Sequence, residues 1–170
     1  TGRVTPYLQE AGVLSDPVTD AEAERLAAAM PLVHERMNKL TEAADMLGFL
    51  FTDEVAYDEA DVAKLLAGDG GAVVEAAERA LSGLAEWTTP AIEEALRVAL
   101  VEERGLKPRN AFGPVRVAVT GRKVSPPLFE SLELLGREES LARLARPPPP
   151  AAGGDAGGAL WAAACLLRAG

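Results

Sequence analysis

The 170-residue sequence predicts an all-α fold, and three observations carry that reading. Helix-starting residues recur along the chain, at Thr5-Pro6, at the Thr19-Asp20-Ala21-Glu22 box, at Asp58, at Thr89-Pro90 and at Ser125-Pro126. Between these starts the apolar residues return every three or four positions, the spacing of a helix buried on one side. Gly12, Gly121 and Gly136 stand where several of these patterns stop. A period of two does show at Val115, Val117 and Val119, and there the residues alone leave helix and strand both open, because β-branched side chains favour strands.

Taken in order, Thr5-Pro6 to Gly12 has a capping residue, a proline in the first turn and a glycine at the stop, which predicts a short helix joining the chain to whatever lies upstream. Thr19 and Glu22 stand three apart, so each side chain can satisfy the other's backbone N–H. An alanine-rich helix is expected from there to Met30, where Pro31 should break or restart it. Leu32, Val33, Arg36 and Leu40 then share one helical face. Arg36 therefore lies on or beside apolar neighbours, and on spacing alone it is a snorkelling side chain or a member of an ion pair. His34, the single histidine, has no Cys or Asp cluster beside it and reads as a surface residue. Thr41 is expected to cap a third helix ending in Phe49-Leu50-Phe51, whose aromatics read as core rather than as platforms for stacking RNA. The carboxylates Asp53, Glu54, Asp58, Glu59 and Asp61 lack the glycine and terminal glutamate of a calcium loop, and read as a solvated turn with Asp58 as the next cap.

Helices from Glu59 to Ala67 and from Ala72 to Leu84 follow from the apolar spacing, with Gly68-Asp69-Gly70-Gly71 as the hinge. Thr89 and Pro90 start another helix, buried through Ile92, Leu96, Ala99 and Leu100, with Trp87 as a hydrophobic staple. Gly121 is the expected stop of residues 104–120. Ser125 can cap, and Pro126 open, a helix to Leu135, a helix end of the kind that can seat a phosphate. A last helix is expected from Glu138 to Arg146, carrying Leu141 and Leu144. Pro147 to Gly158 then reads as a disordered, flexible Pro/Gly/Ala-rich linker. It leads to an apolar nonamer, Ala159 to Leu167, too short to span a bilayer; this segment could dock on the body, pair with another molecule or have no selected role.

Charge divides the chain. Residues 1–103 hold seven cations and twenty-one anions, whereas from Arg104 to Arg146 nine cations face four anions, within a net charge of −9. A basic segment inside an acidic chain suggests a localised anion site, although cations near helix ends can equally be a solvated surface. The share of hydrophobic residues, 48%, against 25% charged is that of a folded globular protein rather than a disordered one. A single cysteine, Cys165, excludes an intrachain disulfide and a thiolate cluster, which suits a reducing cytoplasm. No apolar run approaches the ~20 residues of a membrane span, and no secretory signal opens the chain. The first residue is Thr1, not Met, so a piece of a longer protein is expected.

The run Gly105-Leu106-Lys107-Pro108-Arg109, then Phe112 to Gly121, then Ser125-Pro126-Pro127-Leu128-Phe129-Glu130 and Leu134-Leu135-Gly136 resembles the C-terminal anticodon-binding region of bacterial glutamyl-tRNA synthetase. The likeness reaches back to Val4-Thr5-Pro6-Tyr7-Leu8, Phe49-Leu50-Phe51 and Glu86-Trp87-Thr88, and so covers roughly residues 1–146. The resemblance implies helix over 104–120 and a multi-helix anticodon-binding module. Its expected parts are a first helical subdomain over 1–85, a second, basic and anticodon-reading one over 86–146, and the tail 147–170.

The resemblance also places Arg36 where some members have an arginine implicated in reading the third anticodon base. It implies anticodon contacts for Arg116, Ser125 and Leu128, with Lys107, Arg109, Arg122 and Lys123 as candidates for the tRNA backbone. The His-Ile-Gly-His-like and Lys-Met-Ser-Lys-Ser-like signatures of the family's catalytic domain are not in this sequence. No catalytic residue, metal ligand or cofactor is therefore expected in this chain, and ATP and Mg would belong to an upstream catalytic domain of the same polypeptide. The implied partner is a glutamate tRNA, the implied setting a cytoplasmic monomer with no membrane contact. Two rival readings stand beside this one: a free-standing, non-catalytic RNA-binding module, and a helical protein-interaction scaffold, which the overall acidity favours.

Overall fold

The computed structural model describes residues 3–34, 42–52 and 55–146. Among them the chain forms nine α-helices and no strand, so the all-α expectation holds. They are α1 Thr5–Glu10, α2 Asp20–His34, α3 Glu42–Leu47 with a 3₁₀ turn Gly48–Leu50, α4 Glu59–Leu65 and α5 Gly70–Ser82. Then come α6 Thr89–Leu96, which runs into a π-helical turn Arg97–Glu102, α7 Pro108–Thr120, α8 Leu128–Leu135 and α9 Arg137–Ala145. The readings made for Arg36, Thr41, Asp53, Glu54, the His34 side chain and the tail lie outside the described residues.

Helix α7 is the centre, with α4, α5, α8 and α9 packed around it. Ala111, Pro114, Val115, Val117, Ala118, Val119 and Thr120 are all buried, on every side of the helix. That answers the valine alternation: a helix enclosed all round needs no polar face, so its apolar residues lose the one-sided period and mimic a strand. Its carbonyls, orphaned at a helix end, are taken up one by one. Gly121 N–H donates to Val117 O at 2.8 Å, the Tyr57 hydroxyl to Ala118 O at 3.1 Å and Arg143 Nη1 to Val119 O at 3.1 Å. Gly121 ends α7 with φ at 81°, and a Cβ there would stand 2.3 Å from Ala56 O, so only glycine allows the 55–58 segment this close.

The Thr19–Glu22 capping box forms as read. Thr19 N–H donates to Glu22 Oε2 at 2.8 Å, and Glu22 N–H to Thr19 Oγ1 at 3.3 Å. Asp58 caps α4 through Oδ1, which accepts from Asp61 N–H at 3.0 Å. Phe49 and Leu50 are buried in the core, as expected of the aromatic run.

Several boundaries differ from the sequence reading. Pro31 does not break α2, which continues to His34; Leu26, Ala29 and Val33 bury one continuous stripe across it, and this packing outweighs the lost hydrogen bond. Val4, not Thr5, is the N-cap of α1. Helix α5 starts inside the presumed glycine hinge, at Gly70, where a side chain would meet Leu65 O at 2.1 Å as α4 turns into α5. Thr89 is the first residue of α6 rather than its cap, and its N–H and hydroxyl both donate to Glu133 of α8. Trp87 is more than a local staple: its Nε1 donates to Leu132 O of α8 at 2.9 Å, tying the entry of α6 to a helix 45 residues on. The last helix spans Arg137–Ala145.

Candidate nucleic-acid interface

The largest correction falls on the expected Ser125 cap. Helix α8 begins at Leu128 with Pro127 as N-cap and no side-chain capping bond, so Ser125 and Pro126 belong to the turn between α7 and α8. Two consecutive prolines remove the N–H groups a serine cap would serve and hold the backbone extended up to Leu128. The helix end expected at Ser125 therefore lies at Leu128. The turn itself is held by Arg116. This residue is half-buried on α7, and its Nη1 donates to Ser125 Oγ at 3.0 Å, to Pro126 O at 3.0 Å and to Ser125 O at 3.3 Å. The structure thus brings together Arg116 and Ser125, each expected separately at the anticodon, through a clasp that spacing alone did not suggest.

Within this turn Ser125 and Leu128 are 4% and 2% exposed, whereas Lys123 is exposed and Val124 stands 61% in solvent. Ser125 and Leu128 therefore lie beneath the surface of the turn, and Lys123 and Val124 form its outer lip. Phe129 meets Phe112 edge to face at 5.3 Å and fixes α8 against α7. Nearby, Glu130 Oε2 is a buried oxygen with no hydrogen-bond partner among the described residues.

The cations of the basic segment divide by environment. Arg122 Nη1 lies 3.0 Å from Asp45 Oδ1, and Lys123 Nζ lies 3.3 Å from Asp61 Oδ1, whose other oxygen accepts the Lys123 N–H at 2.9 Å. The acidic half thus supplies partners to two residues expected on the tRNA backbone. The Arg122–Asp45 pair is open to solvent and worth little, so a phosphate can compete for Arg122, whereas Lys123 is held by a carboxylate, Asp61, that is itself buried. Lys107 and Arg109 stand exposed at the start of α7 with Arg104 just before them, and these three have no ion pair or side-chain hydrogen bond among the described residues. Arg143 belongs to the interior: 2% exposed, it binds Glu139 Oε1 through Nε at 2.7 Å, Val119 O through Nη1 and Thr52 O through Nη2 at 2.8 Å. Its i,i+4 offset from Glu139 and its place beside Leu144 were the sequence signals for this role. Burial raises the Tyr57 phenol above its ordinary value, against the lowering effect of the Arg143 charge.

The family model described as "Anticodon binding domain" matches residues 1–147. The chain is 66% identical over 146 residues to the glutamate–tRNA ligase of Nocardioides sp. and 57% identical over the same length to that of Acidothermus cellulolyticus. These matches cover 85% of this chain but only 30% and 29% of the relatives, so the chain spans less than a third of their length. Among solved structures, the glutamate tRNA ligase from Elizabethkingia meningosepticum, in complex with its amino acid, superposes with a TM-score of 0.67 at 22% identity. It covers 84% of this chain and 27% of that one. At that identity the likeness speaks for the fold.

Proposed function

The chain belongs to the anticodon binding domain family, and from that premise we propose that its basic segment reads the anticodon of a glutamate tRNA, as the C-terminal part of a glutamate–tRNA ligase. The observation that carries this reading is the Arg116 clasp on Ser125 and Pro126, set between the Lys123–Val124 lip and the exposed cations that open α7. Unstacked loop bases present hydrogen-bonding edges, which an arginine can meet in place of its present carbonyl and hydroxyl acceptors. Arg116 and Arg36 are assigned to the bases. Ser125 and Leu128 form the seat of the first anticodon base, and Lys107, Arg109, Arg122 and Lys123 meet phosphates, which position the RNA without reading it.

The relatives' shared name supports the larger role. In this proposal the whole protein attaches glutamate to its tRNA as a cytoplasmic monomer, with ATP and magnesium held by a catalytic domain of the same polypeptide. The module is further proposed to consist of two helical subdomains meeting near residue 85.

The test is binding of the chain to glutamate tRNA and to an anticodon-swapped version, across a salt series. Arg116→Gln and Arg36→Gln should each cost ~1–3 kcal/mol on the cognate RNA and less on the swapped one, while Lys107→Ala and Arg109→Ala weaken both alike and lower the salt slope by ~1 each. Equal affinity for both RNAs would reduce the site to a nonspecific basic patch. No binding at low salt would favour a protein-interaction scaffold.

A further inference from the structure

The turn that joins α7 to α8 is tied down at both ends. At its far end Arg116 donates to Ser125 Oγ and Pro126 O. At its near end the start of α4 lies against it: Asp58 N–H donates to Gly121 O at 2.9 Å, and Asp61 Oδ2 accepts the Lys123 N–H at 2.9 Å. The other oxygen of Asp61 lies 3.3 Å from Lys123 Nζ, so one carboxylate takes both the backbone and the side chain of the same residue. Asp61 is only 7% exposed. Burying a carboxylate is costly unless close donors offset it, and among the described residues both donors to this side chain come from Lys123, 62 positions on. The cap of α4 is supplied by Asp58, which accepts the Asp61 N–H, so the Asp61 side chain is left for the turn.

Between the two ties stands Val124, 61% exposed, with Lys123 fixed before it and Ser125 after it. The Lys123 side chain is 58% exposed, and its ammonium carries three donors, so the contact with Asp61 aims the group and still leaves donors for a phosphate. We infer that Asp61 is a positioning residue for anticodon reading: it fixes the Lys123–Val124 lip, through the Lys123 N–H, at the place where a loop base is met. The inference rests on the anticodon reading proposed above and adds to it a residue of the acidic half. A loose lip would still offer its cation to any phosphate, because charge attraction needs no fixed geometry. A base is told from another base only by groups held in place.

The test compares Asp61→Asn and Asp61→Ala in the full chain, on glutamate tRNA and on an anticodon-swapped version. Asparagine keeps an oxygen for the Lys123 N–H and removes the charge, whereas alanine removes both. The Asp58 cap survives either change because it holds the backbone N–H of the substituted residue. Asp61→Ala should lower the preference for the glutamate anticodon about tenfold, the scale of one lost hydrogen bond to a charged group, while Asp61→Asn keeps most of it. Both RNAs meet the same folded fraction, so their ratio is blind to lost stability. Lys123→Ala, which retains the N–H bond to Asp61, should weaken both RNAs alike and lower the salt slope by ~1. Equal weakening of both RNAs by Asp61→Ala would make Asp61 a residue of the fold alone. A preference lost as fully in Asp61→Asn, or lost in Lys123→Ala, would assign the effect to charge; each of these results overturns the inference. The parent chain separates it from the reading beneath it. A parent that does not tell the two RNAs apart fails the anticodon reading and the inference with it, whereas a parent that does, with its preference intact in Asp61→Ala, fails the inference alone.

Discussion

Glu22 shows what a single side chain settles at the surface. Its Oε2 accepts from Thr19 N–H and Oγ1, and its Oε1 from Ser15 N–H at 3.1 Å and Oγ at 3.0 Å, so one carboxylate closes both the start of α2 and the loop before it. The Thr19 and Ser15 bonds, the Thr19 backbone bond foremost, lower its pKa from 4.5 to about 2. A folded-state pKa below the unfolded one means stability that is present above about pH 4.5 and disappears as the pH falls to about 2. Glu22→Gln should therefore lower the melting temperature at pH 6 and match the parent near pH 2; a constant difference across that range would show that the charge is not what the loop uses. The Thr19 half of this arrangement was legible in the three-residue spacing, but the Ser15 half was not, because nothing local says that a loop seven residues back returns to the same carboxylate. Arg116 and Ser125 have the same character: their proximity comes from a turn whose path two prolines decide.

At the scale of elements, α7 and its stop hold the site in place. The glycine at 121 was readable as a terminator, but the sequence did not reveal that residues 55–58 lie against it. Asp58 N–H donates to Gly121 O at 2.9 Å, and a Cβ would press on Ala56 O at 2.3 Å. Gly121→Ala is expected to destabilise the chain by ~3 kcal/mol, from the left-handed backbone and the clash together. Gly105→Ala, at φ 64° with nothing within 4 Å, should cost only ~1 kcal/mol. Urea unfolding of the two variants would check this, and equal losses would mean that the 55–58 contact gives way at no cost. Helix α2 teaches the converse lesson, since a proline that should end it is overridden by the stripe of Leu26, Ala29 and Val33.

On the scale of the whole molecule, Arg143 joins three distant parts of the chain. It reaches Glu139 on its own helix, Val119 at the end of α7 and Thr52 after the 3₁₀ turn, the last across 91 residues. Arg143→Met keeps the buried length but strands two interior carbonyls, which should cost ~3 kcal/mol and lower the urea midpoint of the entire chain in one transition. An unchanged midpoint would show that other donors reach Val119 and Thr52. The charge division of the sequence also takes its meaning here. The acidic half is not separate from the basic one but supplies Asp45 and Asp61 to Arg122 and Lys123, while Arg104, Lys107 and Arg109 stand exposed with no such partner among the described residues.

The sequence by itself determined the helical class, the caps at Thr19 and Asp58, the stop at Gly121 and the basic character of residues 104–146, because each depends on residues a few positions apart. Only the tertiary structure decided that α7 is enclosed all round, that Arg116 grips the turn before α8, that Arg143 is an interior tie and that Asp61 holds Lys123 from α4. Those features arise where stretches far apart in sequence meet, and the energy that selects them is burial and hydrogen bonding across the fold, which no local spacing encodes.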